Sequence, residues 1–165
     1  MDEASFRPFY ERSAARLFAY LLRASGERSL AEDLLQEAYC RFLASKLPHM
    51  DEAAQQSYLF RIATNLMRDR WRRHQEGPMP ETLPVLTSRP PQLESQVGLR
   101  KAFQQLKVRE RQLLWFAYVE GSNHKEIAAL TGLRHTSVRL LLFRARRKLA
   151  NLIRTGTSAE TRTSK

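Results

Sequence analysis

An all-α protein of two small helical domains joined by a Pro-rich linker, the C-terminal one containing a helix-turn-helix, is the fold class that three features of the sequence predict. Apolar residues recur at three- and four-residue spacing through the first half. Five of the seven prolines (Pro78, Pro80, Pro84, Pro90 and Pro91) crowd into fourteen positions, where they remove backbone donors and block helix. Ala128, Gly132 and Val138 stand four and then six residues apart, the spacing of a helix-turn-helix. A chain of 165 residues has room for two such domains, and its 42% of apolar residues is enough for compact folding.

In the first half, Phe6, Phe9, Tyr10, Leu17, Phe18 and Leu21 mark one helix, interrupted at Ser25-Gly26. Ser29 and Glu32 have the spacing of a capping box, which predicts the start of a second helix there. Its apolar stripe is Leu30, Leu34, Ala38 and Phe42, and it ends before Pro48. Asp51 is placed to cap a third helix running to about His74, with Leu59, Ile62, Ala63, Leu66 and then Arg70 or Trp71 on successive turns. A bundle of three or four helices follows. Cys40, between Tyr39 and Arg41, is expected as a small buried or half-buried residue, and as the only cysteine it excludes an intramolecular disulfide and a thiolate-rich zinc site.

The third helix has a second face. Arg61, Asn65, Arg68 and Arg72 fall at i, i+4, i+7 and i+11, forming a polar, basic stripe. Such a stripe suits a plain solvated surface, with Asp69 and Arg73 as an i to i+4 pair. With Tyr58, Phe60 and Trp71 beside it, the same stripe suits a groove for unpaired bases.

Residues 77–92 form the linker, which divides the chain into domains at 1–76 and 93–153, with a polar tail at 154–165 expected to be disordered. In the second domain Gly121 is suited to close one helix, and Asn123 with Glu126 offers a capping box for the next. The helix after Gly132 would start near His135 and carry Arg139, Arg144, Arg146, Arg147 and Lys148. In DNA-binding versions of this motif the second helix lies in the major groove, its N-terminal part at base edges. The alternative is a helical hairpin used only for packing.

The formal net charge of +11 attracts polyanions, and nucleic acid leads among them. No stretch approaches the roughly 20 apolar residues of a membrane span, so membrane insertion is not expected. The start Met1-Asp2-Glu3 lacks the basic and apolar regions of a secretory signal, so a cytoplasmic location is expected. His49, His74, His124 and His135 show no paired spacing with carboxylates. No metal, cofactor or catalytic constellation emerges, and an enzyme is not expected.

Taken together, residues 31–37 (AEDLLQE), residues 58–65 (YLFRIATN) and the block from Gly121 to Leu149 resemble the extracytoplasmic-function sigma factors, the minimal two-domain members of the sigma family. The resemblance implies a region 2 domain at 1–76 that binds core RNA polymerase and the minus-10 element, and a region 4 domain at 93–153 that reads the minus-35 element. By this resemblance Asp33, Gln36 and Glu37 match the polymerase contact, and an acidic and amide cluster suits a basic partner surface. Asn65 matches the residue near the unpaired minus-10 base, with Arg61, Arg68 and Arg72 on the backbone of the separated strand. Residues 45–51 match the loop that forms the base pocket, with Lys46 and His49 in it. Arg134, His135, Arg139, Phe143, Arg144 and Arg147 match the minus-35 surface, where Phe143 could pack on sugar or a thymine methyl. The implied partners are core RNA polymerase, promoter DNA as duplex and as melted single strand, and an anti-sigma factor. The chain departs from the family at Leu140 and Leu141, where small polar and basic residues are usual. Leu142 belongs to the core, and the other two leucines cannot both share its face. Two other readings stand beside this one: a stand-alone helix-turn-helix regulator, which leaves the first half unused, and a sigma-like interaction protein that has lost promoter activity, for which Leu140-Leu141 is the hint.

Overall fold

The computed structural model describes residues 3–45, 50–75 and 94–160, with side chains at all of these but 3, 74–75, 94–97 and 156–160. All the regular structure among the described residues is α-helical. The helices are α1 (Glu3–Ser25), α2 (Arg28–Ala44), α3 (Glu52–Gln75), α4 (Glu94–Gln104), α5 (Val108–Tyr118), α6 (His124–Thr131) and α7 (His135–Glu160). They form two compact units, one built on α1 to α3 and the other on α4, α5 and α7, with α6 leading into α7. The linker at 77–92 and the loop residues Lys46 and His49 lie outside the described residues.

In the first unit each helix packs on the other two. Leu17 and Leu21 from α1, Ala31, Leu34, Ala38 and Phe42 from α2, and Leu59, Ala63 and Leu66 from α3 are buried. Leu30, expected on the stripe of α2, is only half-buried. Phe9 and Phe42 stack with ring centroids 5.1 Å apart. Because α3 meets both α1 and α2, it buries a wider arc than one stripe, and Phe60, Thr64 and Met67 are buried as well.

Two buried hydroxyl chains order the core. Ser13 Oγ donates to the Phe9 carbonyl at 2.6 Å, which uses its one proton, so the Tyr39 hydroxyl must donate to Ser13 at 2.7 Å. In the same way Thr64 donates to the Phe60 carbonyl at 2.8 Å, and Tyr20 donates to Thr64 at 2.9 Å. Burial pushes the Tyr39 phenol above its usual range, the bond to Ser13 opposes this, and nearby Tyr10 adds to the rise.

Asp51 caps α3 as expected, its Oδ1 accepting the Ala54 amide at 2.7 Å. The expected capping box at Ser29 does not form. Helix α2 begins two residues earlier, with Glu27 rather than Ser29 as N-cap and no side-chain cap, so Ser29 is already inside the first turn. Glu32 accepts instead from Arg28 Nε at 2.9 Å. The Asp69–Arg73 pair is also corrected: Arg73 Nε donates to the Asp69 carbonyl at 3.3 Å, and the carboxylate lies nearer Arg72, at 3.9 Å.

In the second unit α7 packs on α4 and α5, burying Ala102, Leu113, Phe116, Val138, Leu142 and Ala145. Glu110 couples these helices, accepting the Lys107 amide at 2.7 Å to cap α5 and Lys148 Nζ of α7 at 2.8 Å. Arg111 is buried with its Nε unpartnered, and burial lowers the pKa of its guanidinium. Helix α7 continues through Glu160, so the tail expected from residue 154 is helical for its first seven residues. Along this stretch the Thr155 hydroxyl bonds back within the helix, its one proton shared between the carbonyls of Asn151 and Leu152, each at 3.1 Å.

Candidate nucleic-acid interface

The helix-turn-helix is assembled by short-range chemistry. Asn123 Oδ1 accepts the amides of Lys125 and Glu126 at 2.9 and 3.0 Å, and Glu126 Oε2 accepts the Asn123 amide at 2.8 Å. This is the reciprocal box expected from the sequence, and it fixes the start of α6. Gly121, with φ 66°, follows the end of α5, where Ser122 N bonds back to the Phe116 carbonyl at 2.8 Å. Gly132, with φ 69°, makes the turn between α6 and α7, a backbone conformation that a side chain would strain. Val138 is fully buried and Ala128 nearly so, which fixes α7 by its inner face.

At about 100° per residue, the outer face of α7 is set by subtraction from Val138, Leu142 and Ala145. Arg139, Leu140, Phe143, Arg144 and Arg147 are exposed on it, with Arg134 and His135 exposed where the helix begins. Arg134, Arg139, Arg144 and Arg147 carry no hydrogen bond or ion pair among the described residues. Arg146 and Lys148 do not belong with them. Arg146 Nη1 donates to the Tyr118 hydroxyl at 3.0 Å and Lys148 to Glu110, so both hold α7 against α5. Leu140 is exposed, as its departure from the core pattern predicts, whereas Leu141 is half-buried because it lies closer to the Ala145 side of the helix.

On α3 the basic stripe is exposed at Arg61, Arg68 and Arg72, with Asn65 half-buried between them. The Asn65 side chain has no hydrogen-bond partner among the described residues. The Arg61 guanidinium sits 5.1 Å from the centroid of the half-buried Tyr58 ring, a cation–π pairing that holds arginine and ring together. Phe60 is not available as a base platform. It is buried against Tyr20, with centroids 5.6 Å apart. Trp71 is half-buried with its indole Nε1 unpartnered.

On α2, Asp33, Gln36 and Glu37 are exposed at i, i+3 and i+4, opposite Ala31, Ala38 and Phe42. Glu37 accepts from Arg41 Nε at 2.7 Å. Cys40 is exposed rather than buried, and it lies seven residues from Asp33 on this same face. The sequence reading missed that placement. Helical rotation relative to the buried Ala38 and Phe42 is the signal that could have found it.

Among the described residues no group of three or more metal-ligating side chains occurs, and no helix is long and apolar enough to cross a membrane.

Comparison with known proteins agrees with this arrangement over both units. Residues 9–76 match the family model described as Sigma-70 region 2, and residues 96–149 match that described as Sigma-70, region 4. The chain is 31% identical over 157 residues to RNA polymerase sigma factor CarQ of Myxococcus xanthus, with 90% of this chain and 89% of CarQ covered. It is 27% identical over 155 residues to ECF RNA polymerase sigma factor SigM of Mycobacterium tuberculosis, with 92% of this chain and 79% of that protein covered. In structure it is similar to the sigma factor RpoE of Bartonella quintana, solved in complex with the anti-sigma factor NepR. The TM-score is 0.68 at 22% identity, covering 91% of this chain and 97% of the other, a likeness of fold.

Proposed function

Because the chain belongs to the extracytoplasmic-function RNA polymerase sigma factors, which bind core polymerase and direct promoter recognition and transcription initiation, we propose that its two units divide that task between minus-10 and minus-35 DNA. In this reading residues 1–76 bind polymerase and the melted minus-10 strand, and residues 93–153 read the minus-35 duplex. The observation that carries it is the coexistence of two outward faces on separate units: the α3 stripe around Asn65 and the unpartnered arginines of α7.

The chemistry supports each assignment. Asp33, Gln36 and Glu37 present acceptors to a basic partner surface on polymerase. Asn65 offers both a donor and an acceptor to an everted base, whose unstacking costs a few kcal/mol that stacking and edge hydrogen bonds must recover. Arg61, held over Tyr58, with Arg68 and Arg72, supplies charge along a separated strand. Lys46 and His49 complete the minus-10 set by resemblance. Arg139 and Phe143 on the exposed face of α7 suit base edges, with Arg134, His135, Arg144 and Arg147 at phosphates.

Melting a promoter breaks no covalent bond, so this reading calls for neither catalysis nor a cofactor. Its working place is the cytoplasm, with the polymerase. The complex of the Bartonella quintana sigma factor with NepR makes an anti-sigma factor a further partner class. A stand-alone duplex regulator has no use for the sigma region 2 match at residues 9–76, which disfavours that alternative.

The decisive experiment is transcription by purified core polymerase, with and without this protein, on a pool of random promoters. Defined start sites with two enriched upstream elements are expected. Transcription indifferent to the protein, with duplex binding by the protein alone, would replace this reading by the regulator.

A further inference from the structure

The exposed face of α7 contains more apolar surface than phosphate contact requires. Leu140 is 50% exposed and Phe143 49%. On a helix turning about 100° per residue these two stand about 60° apart, nearly opposite Val138 and Ala145. They line one shallow groove with Arg144, Arg147, Lys148 and Asn151. The centre of the surface is therefore apolar and its rim is cationic, with Arg139, Arg144 and Arg147 unpartnered among the described residues. That rim commits the face to a polyanion, and the occupant to duplex DNA.

Leucine has neither donor nor acceptor, so it cannot use the hydrogen-bonding pattern of a base edge. The one apolar feature that bases display in the major groove is the C5 methyl group of thymine. Leu140 is the sixth residue of α7, within the N-terminal part that meets base edges in this motif. We propose that Leu140 is a specificity-determining residue that reads a thymine methyl, with Phe143 beside it, so that the minus-35 element of this sigma factor contains an A·T pair chosen by its methyl group. The inference rests on the reading of α7 as the minus-35 helix.

The test starts from the minus-35 duplex selected by holoenzyme, made from core polymerase and the full chain. Each thymine of that element is replaced in turn by deoxyuridine, which removes the methyl and leaves every hydrogen-bonding edge intact. At one or two positions the affinity of holoenzyme for the promoter should fall about fourfold, the effect of losing burial of one methylene-sized group. In Leu140→Ala the thymine and deoxyuridine templates should bind alike at that position, while Arg139→Ala should weaken both templates equally. No deoxyuridine effect anywhere in a duplex that holoenzyme does select would overturn the proposal, as would an effect that persists undiminished in Leu140→Ala. Failure to select any minus-35 element is a different result, which removes the reading of α7 and this inference with it. The deoxyuridine scan on the unaltered protein decides the matter even if the variant folds poorly.

Discussion

Asn123→Ala isolates the contribution of one side chain to the helix-turn-helix. The substitution removes the acceptor of two amides, those of Lys125 and Glu126 at 2.9 and 3.0 Å. All three residues are exposed, so water replaces the lost acceptor and the cost is the ordinary one for a cap, about 1 kcal/mol. Helix α6 is eight residues long and cannot hold itself together without its ends fixed. For a unit of this size the loss lowers the midpoint of thermal unfolding by about 4–8 °C. Asn123→Asp keeps the acceptor and places negative charge at a helix N-terminus, so its midpoint should equal or exceed that of the wild type. Circular dichroism melts of the full chain measure both variants, and duplex binding at 25 °C should change little because most molecules remain folded. An Asn123→Ala melt that superimposes on the wild type, or an Asn123→Asp melt lowered as far as the alanine, would show that the box is not what fixes α6.

Charge reversal at Asp33 together with Glu37 should weaken binding to core polymerase at least tenfold while leaving helix content unchanged; the Glu37–Arg41 pair it breaks is worth only about 0.3–0.5 kcal/mol. A bulky maleimide adduct on Cys40 should block the same interaction and Cys40→Ser should not, as followed by gel filtration with core enzyme. Asn65→Ala should slow open-complex formation more on a paired template than on one with a pre-melted bubble, and equal loss on both would point to a static contact. The raised pKa of Tyr39 means that the folded state holds this proton more tightly than the unfolded state. Its contribution is therefore full below about pH 10 and is lost as pH rises through the folded value. Tyr39→Phe should flatten that part of the alkaline unfolding curve of the first unit.

Much of this was legible because it is local. Gly121, Gly132, Asp51 and the Asn123–Glu126 pair announce helix ends by chemistry confined to a few neighbouring residues, and each is found in place. The failures are partly local and mostly a matter of packing at a distance. Ser29 has the spacing of a box, but α2 had already begun at Arg28. Phe60 looks like a platform beside Tyr58 until α3 is seen to meet both α1 and α2, which buries Phe60 and Thr64 behind the first stripe. Arg146 and Lys148 look like phosphate contacts, yet Tyr118 and Glu110 engage them. Which of several arginines is left facing outward depends on partners some thirty to forty residues away in sequence, and no local pattern contains that.

An exposed leucine amid arginines also changes how such a face would discriminate. Contacts between arginine and phosphate release counterions, so each weakens with salt, by a slope of about 0.9 per phosphate on duplex DNA. They act on every sequence alike, and the affinity they supply carries little information. Burial of a thymine methyl against Leu140 would release no ion, so its strength would depend little on salt. The ratio between correct and incorrect duplex should then stay constant as total affinity falls. A polar residue at the same position would add donors or charge, and with charge a further salt-sensitive contact to any duplex. In the proposed reading, leucine at 140 would add selectivity without a further charge, on a chain whose net charge is already +11.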